Sequence, residues 1–171
     1  MKNLYLLRHG ESDYSNKIDD IRRPLNSTGI TQSKLVGKYL KDKETRLDKI
    51  LCSSSLRTKE TLRNLNSQLN TPIKTSYIDG LYLATAGEII KIIIKESEEF
   101  DSLLIVTHNP GIESLVKFLI KDSQAKLIQQ KYYTYPPCGL AHLSSNINSW
   151  QDLNPNIFDL EDYIRPNLLP N

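Results

Sequence analysis

Cysteine occurs twice, and tryptophan and methionine once each, in a chain of 171 residues. Two cysteines, Cys52 and Cys138, cannot build a disulfide framework, and no spacing of Cys and His reads as a metal site. A reducing, cytoplasmic setting is therefore expected, with no metal and no other cofactor. No apolar run approaches the roughly 20 residues of a bilayer-spanning helix, which removes a membrane partner. Met1-Lys2 leads into a very short apolar run broken by Arg8, unlike a secretory signal. Charge of one sign is also scarce. Lys and Arg number 22 against 20 Asp and Glu, a net +2, and the two signs are interspersed. A nucleic-acid partner, which calls for a concentrated basic face, is not expected. Repeats and low-complexity tracts are absent. With Trp150 the lone tryptophan, aliphatic side chains must supply the core.

What is present is an alternation of short apolar runs and amphipathic stretches. That pattern predicts an α/β fold, a single domain over 1–171 with a mostly parallel sheet and helices on both faces. Strands are expected at 4–7, 47–52, near 73–77 and at 103–106. Helices are expected over 27–41, from about 53 to the break at Pro72, over 86–99 and from Pro110 to 121. Residues 140–145 and 150–153 read as a closing hairpin around Asn146-Ile147-Asn148. The Asn- and Pro-rich tail, 154–171, is expected to pack along the surface.

Three strand-to-helix turns concentrate the chemistry. Leu4-Tyr5-Leu6-Leu7 runs into Arg8-His9-Gly10-Glu11. In an open α/β sheet, ligands bind at the carboxyl ends of strands. There an arginine offers a fork of donors suited to phosphate, and a histidine offers a nucleophile that works near neutral pH. Leu103-Leu104-Ile105-Val106 runs likewise into Thr107-His108-Asn109-Pro110-Gly111, where Asn109 is expected to cap a helix with Pro110 in its first position. The third turn, Ser53-Ser54-Ser55-Leu56-Arg57, places Arg57 near a helix N-terminus, already favourable to an anion. Alone, either histidine could be a loop side chain satisfied by local hydrogen bonds, and Arg57 reads better as a solvated arginine; the three turns together do not read so.

These segments resemble the histidine phosphatase superfamily, the phosphoglycerate-mutase-like or RHG family. Arg8-His9-Gly10-Glu11 matches its opening motif. Ser53, Arg57 and Thr61 match its serine–arginine–threonine segment, and Val106 to Gly111 its second-histidine segment. The short chain is most similar to the SixA-type phosphohistidine phosphatases, through Arg23-Pro24-Leu25-Asn26 with Gly29, Leu81-Tyr82-Leu83-Ala84, Cys138-Gly139-Leu140 and Arg165-Pro166. The resemblance implies a phosphoglycerate-mutase-like fold without a large lid, and a metal-independent phosphatase working through a covalent phosphohistidine. His9 is then the nucleophile, Arg8 and Arg57 grip the phosphoryl oxygens, and His108 is a further donor. Arg23, Ser12 and Asn109 are expected to bind substrate, Ser12 and Asn109 through backbone N–H groups.

Relatives that cleave alkoxide esters place a Glu between the second and third of these segments. Here Tyr82 falls near that place, and Asp79 is the nearest carboxylate, an acid/base candidate unless it only turns the chain with Gly80. A protonated phosphohistidine sheds neutral imidazole and needs no such acid. The expected substrate is a phosphorylated protein, a phosphotransfer domain or a phosphocarrier, with inorganic phosphate as product. A small-molecule phosphomonoesterase of the same superfamily and a non-catalytic phosphoprotein-binding module are the alternatives. Arg22 reads as solvated, His142 as facing solvent or a cavity edge, and Tyr132, Tyr133 and Tyr135 as a loop that could contact a protein substrate.

Overall fold

A computed structural model describes residues 1–14, 18–124 and 135–170. Six strands form one sheet in the order β3-β2-β4-β1-β5-β6. They are β1 (Lys2–Arg8), β2 (Lys49–Ser53), β3 (Lys74–Ile78), β4 (Ser102–Thr107), β5 (Leu140–Ser145) and β6 (Asp159–Ile164). β1 to β4 are parallel to their neighbours among themselves, and β5 and β6 join antiparallel on one side. The α/β fold with a mostly parallel sheet is as the alternating pattern predicted.

Both faces of the sheet are covered, and the period of two in a strand decides which residue serves which face. Leu4, Leu6, Leu51, Leu103, Ile105, Ala141 and Leu143 pack with α3 (Ala86–Ser97) and α4 (Gly111–Leu119). Their strand neighbours Tyr5, Leu7, Ile50, Cys52, Leu104, Val106 and Leu140 pack with α1 (Ser27–Asp42) and α2 (Leu56–Asn66). Capping follows the sequence closely for three helices. Asn26 accepts from Gly29 N, Ser55 from Thr58 N, and Thr85 forms a reciprocal capping box with Glu88.

The hairpin does not form as expected. β5 pairs with β6, drawn from within the tail, so 154–171 supplies an edge strand instead of lying along the surface. Residues Trp150–Asp152 make a 3-10 turn. The Trp150 indole is fully buried, and its Nε1 donates to Phe100 O at 2.7 Å. The helix after β4 stops at Leu119, and Asn109 does not cap it. Pro110 holds the cap position, and the Asn109 amide reaches forward to Glu113 Oε2 at 3.1 Å. Among the described residues no helix is long and apolar enough to cross a membrane.

One register places the site. β1 and β4 are adjacent and parallel, with Arg8 opposite Thr107. The next residue on each strand is a histidine. β2 lies on the far side of β4 with Cys52 opposite Val106, so Ser53 ends beside them.

Candidate active site

His9 is bonded at both ring nitrogens. Nδ1 lies 2.7 Å from Gly10 O, which can only accept, so the hydrogen sits on Nδ1 and Nε2 carries the lone pair. Arg57 Nε donates to that lone pair at 3.3 Å. Burial holds His9 down to about 3, against the pull of the Gly10 carbonyl and with Arg57 and Arg8 pushing the same way. His9 is therefore neutral across the physiological range. Its own turn is pinned from α2: Gly10 N donates to Thr61 Oγ1 at 2.9 Å, and Thr61 donates to Arg57 O at 2.7 Å.

His108 stands against His9, ring centroids 5.1 Å apart. Its Nε2 bonds Ser53 Oγ at 2.8 Å, while Nδ1 is buried without a partner among the described residues. Burial, then His9 and Arg57, push it down to about 3 as well. Arg8 donates through Nη1 to Tyr135 O at 2.5 Å and leaves Nε buried and unpaired among the described residues. Burial lowers the Arg8 pKa from its ordinary value. The site thus combines a neutral lone pair, two guanidinium groups and two unspent buried nitrogens.

Arg57 itself is buried, and its two remaining donors turn to one residue. Nη1 donates to Asp20 O at 2.6 Å, and Nη2 to Asp20 Oδ2 at 3.0 Å. Tyr82 OH donates to the same Oδ2 at 2.5 Å, and Arg23 Nε to Oδ1 at 2.9 Å. The Tyr82 hydroxyl, against the cost of desolvation and with Arg57 and Arg23 helping, holds the Asp20 carboxyl down to about 2. Tyr82 also sets its ring edge-on to His108 at 5.4 Å.

Of the residues singled out by sequence, Arg8, His9, Arg57 and His108 converge, and Arg23 joins them through Asp20. Ser12 is buried and forms a β-bridge to Leu25. Asn109 is half-buried, its amide bonded to Glu113. Asp79 is exposed in a 3-10 turn with Gly80, and its carboxylate makes no bond to the histidines or arginines among the described contacts. Arg22 is solvated beside Asp19. His142 is half-buried at the edge of a cavity away from the site, as expected: it stacks on Tyr5 at 4.1 Å and bonds Asn3 Oδ1 at 3.0 Å. Tyr135 is buried and donates to Leu6 O at 2.6 Å, so it is no surface contact; Tyr132 and Tyr133 lie outside the described residues. Burial pushes Cys52 and Cys138 up to about 12, as inert thiols.

Asp20 is the residue that sequence reasoning missed. In Asp19-Asp20-Ile21-Arg22-Arg23 it looks like one more solvated charge, and nothing local sets it apart.

Comparison with known proteins agrees with this geometry. Residues 4–78 match the histidine phosphatase superfamily (branch 1). An uncharacterised protein of Mycobacterium tuberculosis H37Rv is 30% identical over 151 residues, spanning 87% of this chain and 92% of that protein. The phosphohistidine phosphatase SixA of Escherichia coli K12 is 25% identical over 115 residues, 66% of this chain and 71% of SixA. A candidate SixA structure from Agrobacterium tumefaciens superposes with a TM-score of 0.80 at 25% identity, covering 96% and 98% of the two chains. The protein histidine phosphatase SixA complexed with tungstate shares the fold, with a TM-score of 0.76 at 21% identity over 96% and 97%. The fold and these matches define a phosphoglycerate-mutase-like hydrolase. The chain belongs to the histidine phosphatase superfamily and is a phosphatase.

Proposed function

We propose that this phosphatase removes phosphate from a histidine on a folded protein, a phosphotransfer domain or phosphocarrier, through a phosphohistidine on His9. His9 Nε2 attacks phosphorus in line, and the substrate P–N bond breaks as its protonated imidazole leaves neutral. Arg8, Arg57 and a protonated His108 hold the three terminal oxygens through the transition state. Water then attacks, the His9 Nε2–P bond breaks, and inorganic phosphate departs with the proton released by the water. All the positive charge comes from side chains, so no step calls on a metal.

The observation that carries the substrate class is the state of Asp20. Among the described residues it is the carboxylate bonded to the arginines of the site, and it is held ionised at about 2. Even released from those bonds, at its ordinary value of 3.8, it carries no proton for a leaving alkoxide near pH 7. A departing imidazole needs none. Arg23 fits as a substrate contact: its side chain is partly buried, beside the exposed ring of Tyr14 at 4.9 Å.

The experiment mixes the purified protein and excess EDTA with a histidine-phosphorylated carrier protein, with His9→Ala alongside. Phosphate release by the first protein only is the expected result. Turnover confined to sugar or nucleotide monophosphates would overturn the substrate class. Phosphate bound without any covalent label or release would leave a binding module.

A further inference from the structure

The free site already holds an anion, and that anion belongs to the chain. Asp20 takes both outward nitrogens of Arg57, one through its backbone oxygen at 2.6 Å and one through its carboxylate at 3.0 Å. The same carboxylate takes Arg23 Nε at 2.9 Å and the Tyr82 hydroxyl at 2.5 Å. Little else secures it. The 3-10 turn Asp20–Arg22 has no buried residue, and the Asp20 side chain is 48% exposed while that of Arg57 is 2%. A phosphoryl group placed over His9 Nε2 needs the donors that Asp20 occupies.

We propose that Asp20 is a specificity-determining residue: its carboxylate is a tethered competitor that an incoming anion must displace from Arg57, Arg23 and Tyr82, so the site admits a dianionic phosphoryl group and turns carboxylates away. This deepens the phosphatase reading above and rests on it. A free carboxylate offers the donors the same charge as Asp20 and two oxygens, with no counterpart to the backbone oxygen that Asp20 gives Arg57 Nη1. It competes from dilute solution against a group held in place by a short turn, and it loses. A phosphoryl dianion brings a second charge and a third oxygen. It also reaches nitrogens that Asp20 leaves unused, Arg8 Nε and His108 Nδ1, both buried with no partner in the free site among the described residues. Those additional bonds drive the exchange. On displacement three donors from three separate segments, Arg57, Arg23 and Tyr82, turn to the ligand together.

Titration calorimetry at pH 7 and fixed ionic strength tests this with inorganic phosphate as the probe. Asp20→Asn keeps the shape and removes the charge. It is expected to bind phosphate at least about tenfold more tightly than the native chain, since one competing charge is gone. In Asp20→Ala, tens of millimolar acetate should weaken phosphate binding by refilling the vacated place, and acetate should leave the native chain unaffected. Equal or weaker phosphate binding in both variants, with unchanged melting curves, would overturn the competitor and make Asp20 a support for Arg57. Acetate acting alike on all three proteins would overturn it too. Absence of phosphate binding in every protein would overturn the anion site along with the competitor. Failure of the native chain to release phosphate from phosphohistidine, with the calorimetric pattern intact, would overturn the substrate class and leave the competitor standing.

Discussion

Arg57 Nε donates to His9 Nε2 at 3.3 Å, so the guanidinium that is to grip phosphate also marks where the histidine lone pair points. The two side chains come from turns 48 residues apart, and Thr61 ties those turns together through Gly10 N. Lysine would keep the charge of Arg57 and lose the planar fork. Arg57→Lys is therefore expected to lower kcat/KM on a phosphohistidine protein by about a hundredfold or more, because one ammonium cannot hold two phosphoryl oxygens and His9 at once. Steady-state phosphate release measures this. Activity within about threefold of the native chain would mean that charge alone matters here.

Ser53 acts on the reaction through His108. Its hydroxyl is the partner of His108 Nε2 at 2.8 Å, and both groups are buried. Ser53→Ala leaves that ring nitrogen without a partner and the ring free to turn. The unpaired buried group costs about 1–3 kcal/mol, which is roughly tenfold to a hundredfold in kcat if it falls on the transition state. Phosphate affinity should weaken in step, since His108 is a phosphate donor in the proposed mechanism. A variant that melts earlier but turns over at the native rate would confine Ser53 to stability.

Tyr135 carries a different kind of load. Its hydroxyl donates to Leu6 O at 2.6 Å and accepts from Ala141 N at 3.0 Å, bridging β1 and β5 from the loop before β5. Its backbone oxygen receives Arg8. Tyr135→Phe removes the hydroxyl and keeps the carbonyl. A loss of about 2 kcal/mol is expected, roughly 4–8 °C in Tm, with kcat close to native. A large fall in kcat without a fall in Tm would place the hydroxyl, and not the carbonyl, in charge of Arg8.

Arg8, His9 and His108 were legible because each stands at the end of an apolar run in a buried strand, and Arg57 because it opens the helix after another; parallel pairing in register does the rest. Arg8 opposite Thr107 is enough to set His9 beside His108. The edge of the sheet was less legible. Asp159-Leu160-Glu161-Asp162-Tyr163 is too acidic to read as a strand, and it pairs because β5 beside it offers an unpaired edge. Asp20 was illegible for a related reason. Its partners Arg57, Arg23 and Tyr82 come from three separate segments, and a surface loop carries no pattern that announces such a meeting. Asp79 was the reverse case: its place next to Gly80 suited a turn, and the turn is where it stays.

The two buried histidines also predict how stability depends on pH. Both sit at about 3 in the folded chain, against an ordinary value of 6.5. Above pH 6.5 they are neutral folded or unfolded, and their contribution is complete. As pH falls from 6.5 toward 3, the unfolded chain takes up protons that the folded chain refuses, so stability is lost. Each histidine then costs roughly 1.4 kcal/mol for every pH unit crossed inside that window, so the loss at about pH 5 relative to pH 7 is about 2 kcal/mol apiece. Asp20 adds nothing between pH 7 and pH 5, because its depression from 3.8 to about 2 is felt only below about pH 4. Urea unfolding at about pH 7 and pH 5 should give a smaller loss in His9→Asn than in the native chain, and a smaller one again in the double variant with His108→Asn. Phosphate should reverse part of the effect, since a dianion beside His108 favours its charged form. Calorimetric titrations of phosphate at about pH 6, in two buffers of different ionisation enthalpy, should then report proton uptake by the native chain and less by His108→Asn. Equal acid sensitivity in all three proteins would mean that both rings take up protons as freely in the folded site as in water, and burial would then not be what keeps His9 neutral.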